Sequence, residues 1–168
     1  MLFLVVWGTM IMGPHVVAAG PYSVDLAELT LCAWSGGVPH SPGYPLWTRM
    51  AQGALGLQGG ADPFLALGRF GVVLAILAAV MTQDLLRKMG VNIWTSTGCA
   101  GLLLVVPQCI RAFSITEVYA LDLMLLAMTF WACDRGNREE HNGWTALGVA
   151  AAILAIGHRP INVVLVLA

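Results

Sequence analysis

Long apolar segments constrain the fold of this chain more than any other feature of its sequence. Hydrophobic residues make up 58% of its 168 positions and charged residues only 10%, with a mean hydropathy of +0.79. Soluble domains carry about 25% charged residues, so these few charges are too sparse to cover a water-facing surface. The composition therefore predicts an integral membrane protein.

Five apolar segments have the length expected of membrane-spanning helices: residues 2–19, 64–86, 92–110, 115–133 and 144–168. A bilayer core of about 30 Å needs roughly 20 helical residues. Backbone groups in lipid must be satisfied internally and no alternating barrel pattern is present, so helices are favoured. Gly157-His158-Arg159-Pro160 interrupts the last segment, which predicts a helix of about 14 residues followed by the start of another. The predicted fold is an all-α, polytopic transmembrane bundle of about five spans.

Basic residues indicate which ends of the spans face the cytoplasm. Lys and Arg gather in cytoplasmic loops. Arg87 and Lys88 fall in one predicted loop, and Arg135 and Arg138 fall in another on the same side. The amino terminus is then cytoplasmic, and residues 20–63 form a large external loop.

The external loop is predicted to carry two short helices on the membrane surface, over the stretches LAELTLCAW and PLWTRMAQGALGLQ. Pro45 suits the first turn of the second helix. Pro42 and Pro45 favour extended geometry at Ser41 and Tyr44, which stiffens the connection between the helices. We expect a rigid elbow that presents His40 and Tyr44 to a polar site.

Asp25 and Glu28 follow the first span and are three residues apart. One interpretation is a capping box, with Asp25 as the N-cap and Glu28 at the third helical position. The other is a catalytic pair, in which Asp25 acts as general base on an acceptor hydroxyl and Glu28 orients it. The two interpretations are compatible, because a cap also fixes the side chain in place.

The fourth span is predicted to open with another capping box, formed by Ser114 and Glu117. Tyr119 then suits the aromatic belt at the membrane interface. Asp122 lies deeper in the span. Insertion of an Asp at the bilayer centre costs about 2.5–3.5 kcal/mol of free energy, so Asp122 is expected to face protein or a wet cavity.

Two arginines near the external ends of spans, Arg69 and Arg111, have two interpretations each. They either extend along lipid to the interface or bind a phosphate with the guanidinium fork. Arg159 is a further phosphate-binding candidate. The net charge of −1 argues against a nucleic-acid partner. No cofactor and no metal site are predicted, and participation of a divalent metal is left open.

Three motifs follow one another along the chain, and the resemblance that they carry runs over nearly its whole length: D-x-x-E at Asp25, H-x-P-G-Y-P-L at His40 and E-V-Y-A-L at Glu117. In this order they resemble a bacterial family of GT-C type membrane glycosyltransferases related to the protein O-mannosyltransferases. The chain departs from that family at Ala27, where the family has Gly, and at Ser41, where it has Pro.

The resemblance implies inverting transfer of a sugar from a polyprenyl-phosphate carrier to a protein or glycan acceptor at the external face. It implies that Asp25 is the base and Glu28 its companion. It also implies that the substrate contacts include four further motif residues: His40, Tyr44, Glu117 and Tyr119. Phosphate binding by Arg69 or Arg111 is inferred from their positions rather than from a motif.

Enzymes of the GT-C type have many more than five spans, so the resemblance implies that residues 1–168 are the amino-terminal part of a longer module. Within that module they are expected to form a single transmembrane domain in a bacterial inner or plasma membrane, inactive if separated from the rest. The alternative is a non-enzymatic membrane subunit for transport or assembly, which uses an external polar pocket only for binding.

Overall fold

Helices account for nearly all regular structure in the computed structural model, which describes residues 23–40, 43–59, 62–105 and 117–167. In chain order the helices are α1 (Ser23–Ser35), α2 (Pro45–Leu57), α3 (Pro63–Lys88), α4 (Ile93–Val105), α5 (Tyr119–Glu139), α6 (Asn142–His158) and α7 (Asn162–Leu167). No strand occurs within these ranges, so the all-α prediction is confirmed for them. The predicted first span, residues 2–19, lies outside the described residues.

Helix α3 coincides with the predicted second span and has 26 residues. Among the described helices it alone is both long enough and apolar enough to cross a membrane. Helix α4 has 13 residues, and the predicted continuation of its span to residue 110 lies outside the described ranges. Helix α5 has 21 residues, but its last turns carry several charges, which lowers its apolar character. The bundle of five spans therefore stays a prediction.

The predicted interruption of the last apolar segment is confirmed. Helix α6 ends at His158, and α7 begins at Asn162. Arg159 between them is extended, with φ −140° and ψ 113°, and its N–H bonds the carbonyl of Ala155. Pro160 accounts for this geometry, because a proline disfavours helical geometry in the residue before it.

The chain divides into two compact units, and the boundary between them falls inside α3 after Val73. The first unit contains residues 1–73 and 107–120. Its helices α1 and α2 pack together, and Leu29 of α1 and Trp47 of α2 are each only 2% exposed. Burial of such large apolar side chains is the main force that fixes one helix against another, and here it fixes the elbow between α1 and α2.

The second unit contains residues 74–106 and 121–168, and its helices α5 and α6 approach each other closely. A Cβ atom on Gly148 of α6 would lie only 3.0 Å from the backbone nitrogen of Cys133 in α5. Glycine is therefore required at this crossing, as at other sites where small residues let helix backbones come together.

Aromatic and charged side chains join α3, α5 and α6 near one end of the second unit. The indole N–H of Trp131 donates to Asp84 at 2.7 Å, and Lys88 pairs with the same carboxylate at 2.8 Å. Arg135 stacks over the ring of Trp144 at 4.5 Å. Arg135 was expected in a loop but lies within α5, because that helix continues to Glu139.

Candidate catalytic site

Asp25 and Glu28 project from the first turns of α1, where a spacing of three residues places side chains on the same helix face. The predicted capping box is wrong. Helix α1 begins at Ser23, so Asp25 lies inside its first turn and is not the N-cap. Glu28 reaches His40 rather than the start of its own helix. Neither carboxylate therefore caps α1.

His40 binds Glu28 through two separate groups. Its backbone N–H donates to Oε1 of Glu28 at 2.6 Å, and its ring Nδ1 lies 2.9 Å from Oε2. Because a carboxylate is acceptor-only, this pairing assigns the proton of the neutral ring to Nδ1 and leaves Nε2 as the acceptor. The ring hydrogen bond, followed by the backbone hydrogen bond, lowers the pKa of Glu28 below its ordinary value. Glu28 is thus held as an anion that is already hydrogen-bonded at both oxygens.

The elbow that carries His40 turns sharply before α2. The N–H of Gly43 donates to the carbonyl of His40 at 2.8 Å. Tyr44 was predicted to be extended, and this prediction is wrong, since its backbone is left-handed with φ 39° and ψ 54°. Its carbonyl accepts the first helical hydrogen bond from Thr48 at 2.9 Å, and Pro45 follows in the first turn as predicted. The extended geometry predicted for Ser41 lies outside the described residues.

The sharp turn brings the Tyr44 ring against the His40 ring, edge to face, with centroids 5.9 Å apart. Edge-to-face packing is a preferred arrangement of aromatic rings. The tyrosine therefore restricts the imidazole on one side while Glu28 holds it by its Nδ1 atom.

Asp25, Glu28 and His40 form the site itself, which we call the acid–imidazole cluster. One ligand atom from each residue lies within 4.8 Å of the others. Asp25 is exposed and accepts no hydrogen bond from any residue that the structure describes, so its oxygens can meet a substrate. Two carboxylates and an imidazole can move a proton, and they are also donor types that divalent metals accept.

The remaining predicted site residues that the structure describes are Arg69, Glu117 and Tyr119, and all fall in the first unit with the cluster. Arg69 is half-buried, and its Nε atom is enclosed without a hydrogen-bond partner among the described residues. Glu117 precedes α5, which begins at Tyr119, so Glu117 is not at the third position of that helix. Arg111 and Ser114 lie outside the described ranges.

A second polar cluster surrounds Asp122. The sequence predicted the burial of Asp122 but not its partners. Asp122 is 6% exposed, in agreement with the expectation that it faces protein. Its Oδ2 accepts from Arg159 at 3.0 Å, and its Oδ1 accepts from Asn162 at 3.0 Å. The nearest imidazole nitrogen of His158 is 3.8 Å away. Opposite charges in two apolar segments were the signal for this pairing, because charges within spans usually pair with one another.

Comparison with families of known proteins gives a match over most of the chain. The model of the family described as Protein O-mannosyl-transferase TMEM260 N-terminal domain matches residues 25–168, a range that begins at Asp25 and includes every other residue of the acid–imidazole cluster. No curated protein and no solved structure matches the chain. Because the matched range is far more than half of the sequence, the protein belongs to the Protein O-mannosyl-transferase TMEM260 N-terminal domain family.

Proposed function

We propose that this chain is part of a GT-C type membrane glycosyltransferase. It takes a sugar, mannose by the name of its family, from a polyprenyl-phosphate carrier and transfers it with inversion to a protein hydroxyl. The single observation that carries the proposal is the exposed Asp25 carboxylate beside the anchored Glu28–His40 pair.

The different surroundings of the two carboxylates support a division of roles. Glu28 is hydrogen-bonded at both oxygens and its pKa is lowered, so it is a weak proton acceptor. Asp25 is exposed and accepts no hydrogen bond from the described residues. Asp25 is therefore the general base, while Glu28 and His40 form the rigid wall beside it.

The reaction follows from that assignment. Asp25 takes the proton of the acceptor hydroxyl while the oxygen of that hydroxyl attacks the anomeric carbon of the sugar. The attack comes from the side opposite the carrier phosphate. The bond between the anomeric carbon and the phosphate oxygen breaks at the same time, which inverts the configuration. The polyprenyl phosphate leaves with the electron pair of the broken bond, and the proton on Asp25 passes to solvent. No redox partner is needed.

Arg69 is our candidate for contact with the carrier phosphate. An enclosed N–H without a partner is costly, and a phosphate oxygen would satisfy it with a charge-assisted hydrogen bond. Arg111, Glu117 and Tyr119 complete the proposed substrate contacts. We further propose that about five helices cross the membrane, with residues 20–63 on the external or luminal side.

The test is the Asp25→Asn variant of the complete protein in its native membranes. We expect transfer of labelled mannose from the polyprenyl-phosphate donor to fall about 10²–10⁴-fold, the usual contribution of a general base. The matched control is Asp62→Asn in the same loop, since Asp62 only caps α3 by accepting from Phe64 at 2.9 Å. Undiminished transfer in Asp25→Asn, at normal membrane levels of the variant, would exclude Asp25 as the base.

A further inference from the structure

A concave pocket of about 520 Å³ opens within the first unit, which also contains the candidate catalytic site. The carboxyl-terminal end of α1, one face of α2 and the first residue of α3 enclose it. The residues that shape it are Trp34, Ser35, Arg49, Gln52, Leu55 and Pro63. Pockets of about 300–1,000 Å³ bind small molecules or parts of larger ligands, so this one can hold a side chain with its neighbouring backbone.

The polar wall of the pocket is rich in hydrogen-bond donors. Arg49 is the only Lys or Arg among residues 20–63. In the described part of the chain its guanidinium meets no carboxylate, and its Nη1 donates to Oε1 of Gln52 at 3.1 Å. This bond occupies the amide oxygen and leaves the NH₂ group of Gln52 as a donor. A positive charge and an amide donor on one wall favour an anionic ligand.

Apolar surface also lines the pocket. Trp34 is one of the lining residues and is 68% exposed. The hydroxyl of Ser35 donates to the carbonyl of Leu31 at 2.8 Å, so it adds no free donor there. The pocket therefore suits a group with an aliphatic stem and an anionic end, such as the side chain of Glu or Asp.

The distance along α1 separates this pocket from the reacting atoms. Trp34 is six residues beyond Glu28 and nine beyond Asp25, which at 1.5 Å per residue is about 9–13 Å along the helix axis. The carrier phosphate is bonded to the carbon that the hydroxyl attacks, so it must lie within roughly 6–8 Å of the base. A phosphate in the pocket would hold the sugar out of reach. An extended peptide at about 3.3 Å per residue covers 9–13 Å in three or four residues.

We propose that this pocket is an acceptor subsite, which binds an acidic side chain three or four residues from the hydroxyl that receives the sugar. The inference rests on the proposed function and adds to it a preference for acceptor sequences. Arg49 and Gln52 recognise the carboxylate, and Trp34 packs on its aliphatic stem. Arg49 is thus a specificity-determining residue.

The experiment compares pairs of acceptor peptides that contain one Thr. The two peptides of a pair differ at one position, which is Glu in one and Gln in the other. That position lies three or four residues before or after the Thr. The complete protein in native membranes is assayed with the lipid-linked donor. We expect kcat/KM to be about tenfold or more higher for the preferred Glu peptide, the usual effect of a hydrogen-bonded charge. Arg49→Gln should remove this preference, mainly by raising KM for the Glu peptide. Arg87→Gln, an exposed arginine at the end of α3, is the matched control.

Charge reversal gives a second readout. Arg49→Glu should favour the peptide with Lys at the same position, which a merely structural role for Arg49 would not produce. Equal kcat/KM for Glu and Gln peptides in the active wild type would overturn the subsite and leave the proposed transfer intact.

Measurements of peptide binding distinguish a failure of the subsite proposal from a failure of the transferase proposal. Where wild type transfers sugar to no peptide, affinities of the Glu and Gln peptides for the Asp25→Asn protein are measured directly. Tighter binding of the Glu peptide that is lost in Asp25→Asn/Arg49→Gln supports the subsite even though the transferase proposal fails. Equal affinities overturn the subsite as well.

Discussion

His40 reaches back twelve residues to Glu28 and satisfies both oxygens of its carboxylate, one with the backbone N–H and one with the ring. The side chains of these two residues are both partly exposed, at 44% and 35%. Their contact is nevertheless specific, because two donors of one residue meet two acceptors of the other. It is the contact that closes the elbow between α1 and α2.

The Glu28–His40 contact is expected to weaken in acid. The pKa of Glu28 is lowered in the folded protein, so its contribution is present above the unfolded pKa of about 4.3 and is lost as pH falls through the folded value. Amide hydrogen exchange at His40, measured in nanodiscs, should therefore lose protection as pH is lowered below about 4. In Glu28→Gln that pH dependence should disappear, while Glu140→Gln should retain it. A His40 amide with the same acid response in Glu28→Gln would show that another group closes the elbow.

Chelation of divalent metals is expected to leave sugar transfer unchanged. His40 uses Nδ1 to donate to Glu28, so that nitrogen cannot bind a cation while the contact persists, and the proton transfer proposed for Asp25 needs no Lewis acid. Transfer is measured in native membranes before and after EDTA treatment, with Ca²⁺, Mg²⁺ and Mn²⁺ added back separately. Activity that EDTA abolishes and one cation restores would instead assign a metal to the acid–imidazole cluster.

Asp122→Ala is expected to destabilise the second unit by about 3 kcal/mol, because it removes the buried carboxylate that accepts from Arg159 and Asn162. This is the low end of the range for broken buried pairs, since the Arg159 side chain is 31% exposed. Asp134→Ala is the matched control in the same helix. Its pair with Arg138 is exposed, so its loss should cost below about 1 kcal/mol. Equal losses in denaturant unfolding of the two variants in detergent would contradict this ranking.

The predicted topology can be read from the accessibility of two exposed positions. Val38 is 81% exposed in the elbow, and Met89 is 66% exposed just after α3. In a background without the native cysteines, Val38→Cys should react with a membrane-impermeant thiol reagent on intact cells. Met89→Cys should react only after permeabilisation, because Arg87 and Lys88 mark the cytoplasmic side. Labelling of both positions from one side would refute a membrane crossing by α3.

Local chemistry made several elements predictable from the sequence. Pro45 marked the start of α2, because its fixed φ and missing N–H suit a first helical turn. Pro160 marked the break after α6, because a proline disfavours helical geometry in the residue before it, here Arg159. The pairing of His40 with Glu28 was not predicted, although the two residues were placed at the same site.

The remaining features depend on contacts between distant parts of the chain. The left-handed backbone of Tyr44 escaped prediction, because a residue before proline favours extended geometry on local grounds, whereas Tyr44 follows a turn closed by the hydrogen bond from Gly43 to His40. Arg159 lies 37 residues from Asp122, and no periodic pattern specifies which distant cation a carboxylate meets. The pocket beside Arg49 exists only once α1 and α2 have packed, so composition could give the charge but not the cavity.

The elbow has a consequence for the order in which the protein acquires its structure. Asp25, Glu28, His40 and Tyr44 all lie within one short stretch, and the contacts that join them are local in sequence. Local contacts form quickly, because little chain entropy is lost in closing a short loop. The candidate catalytic cluster is therefore expected to assemble as soon as this stretch has been synthesised, while later helices are still being made.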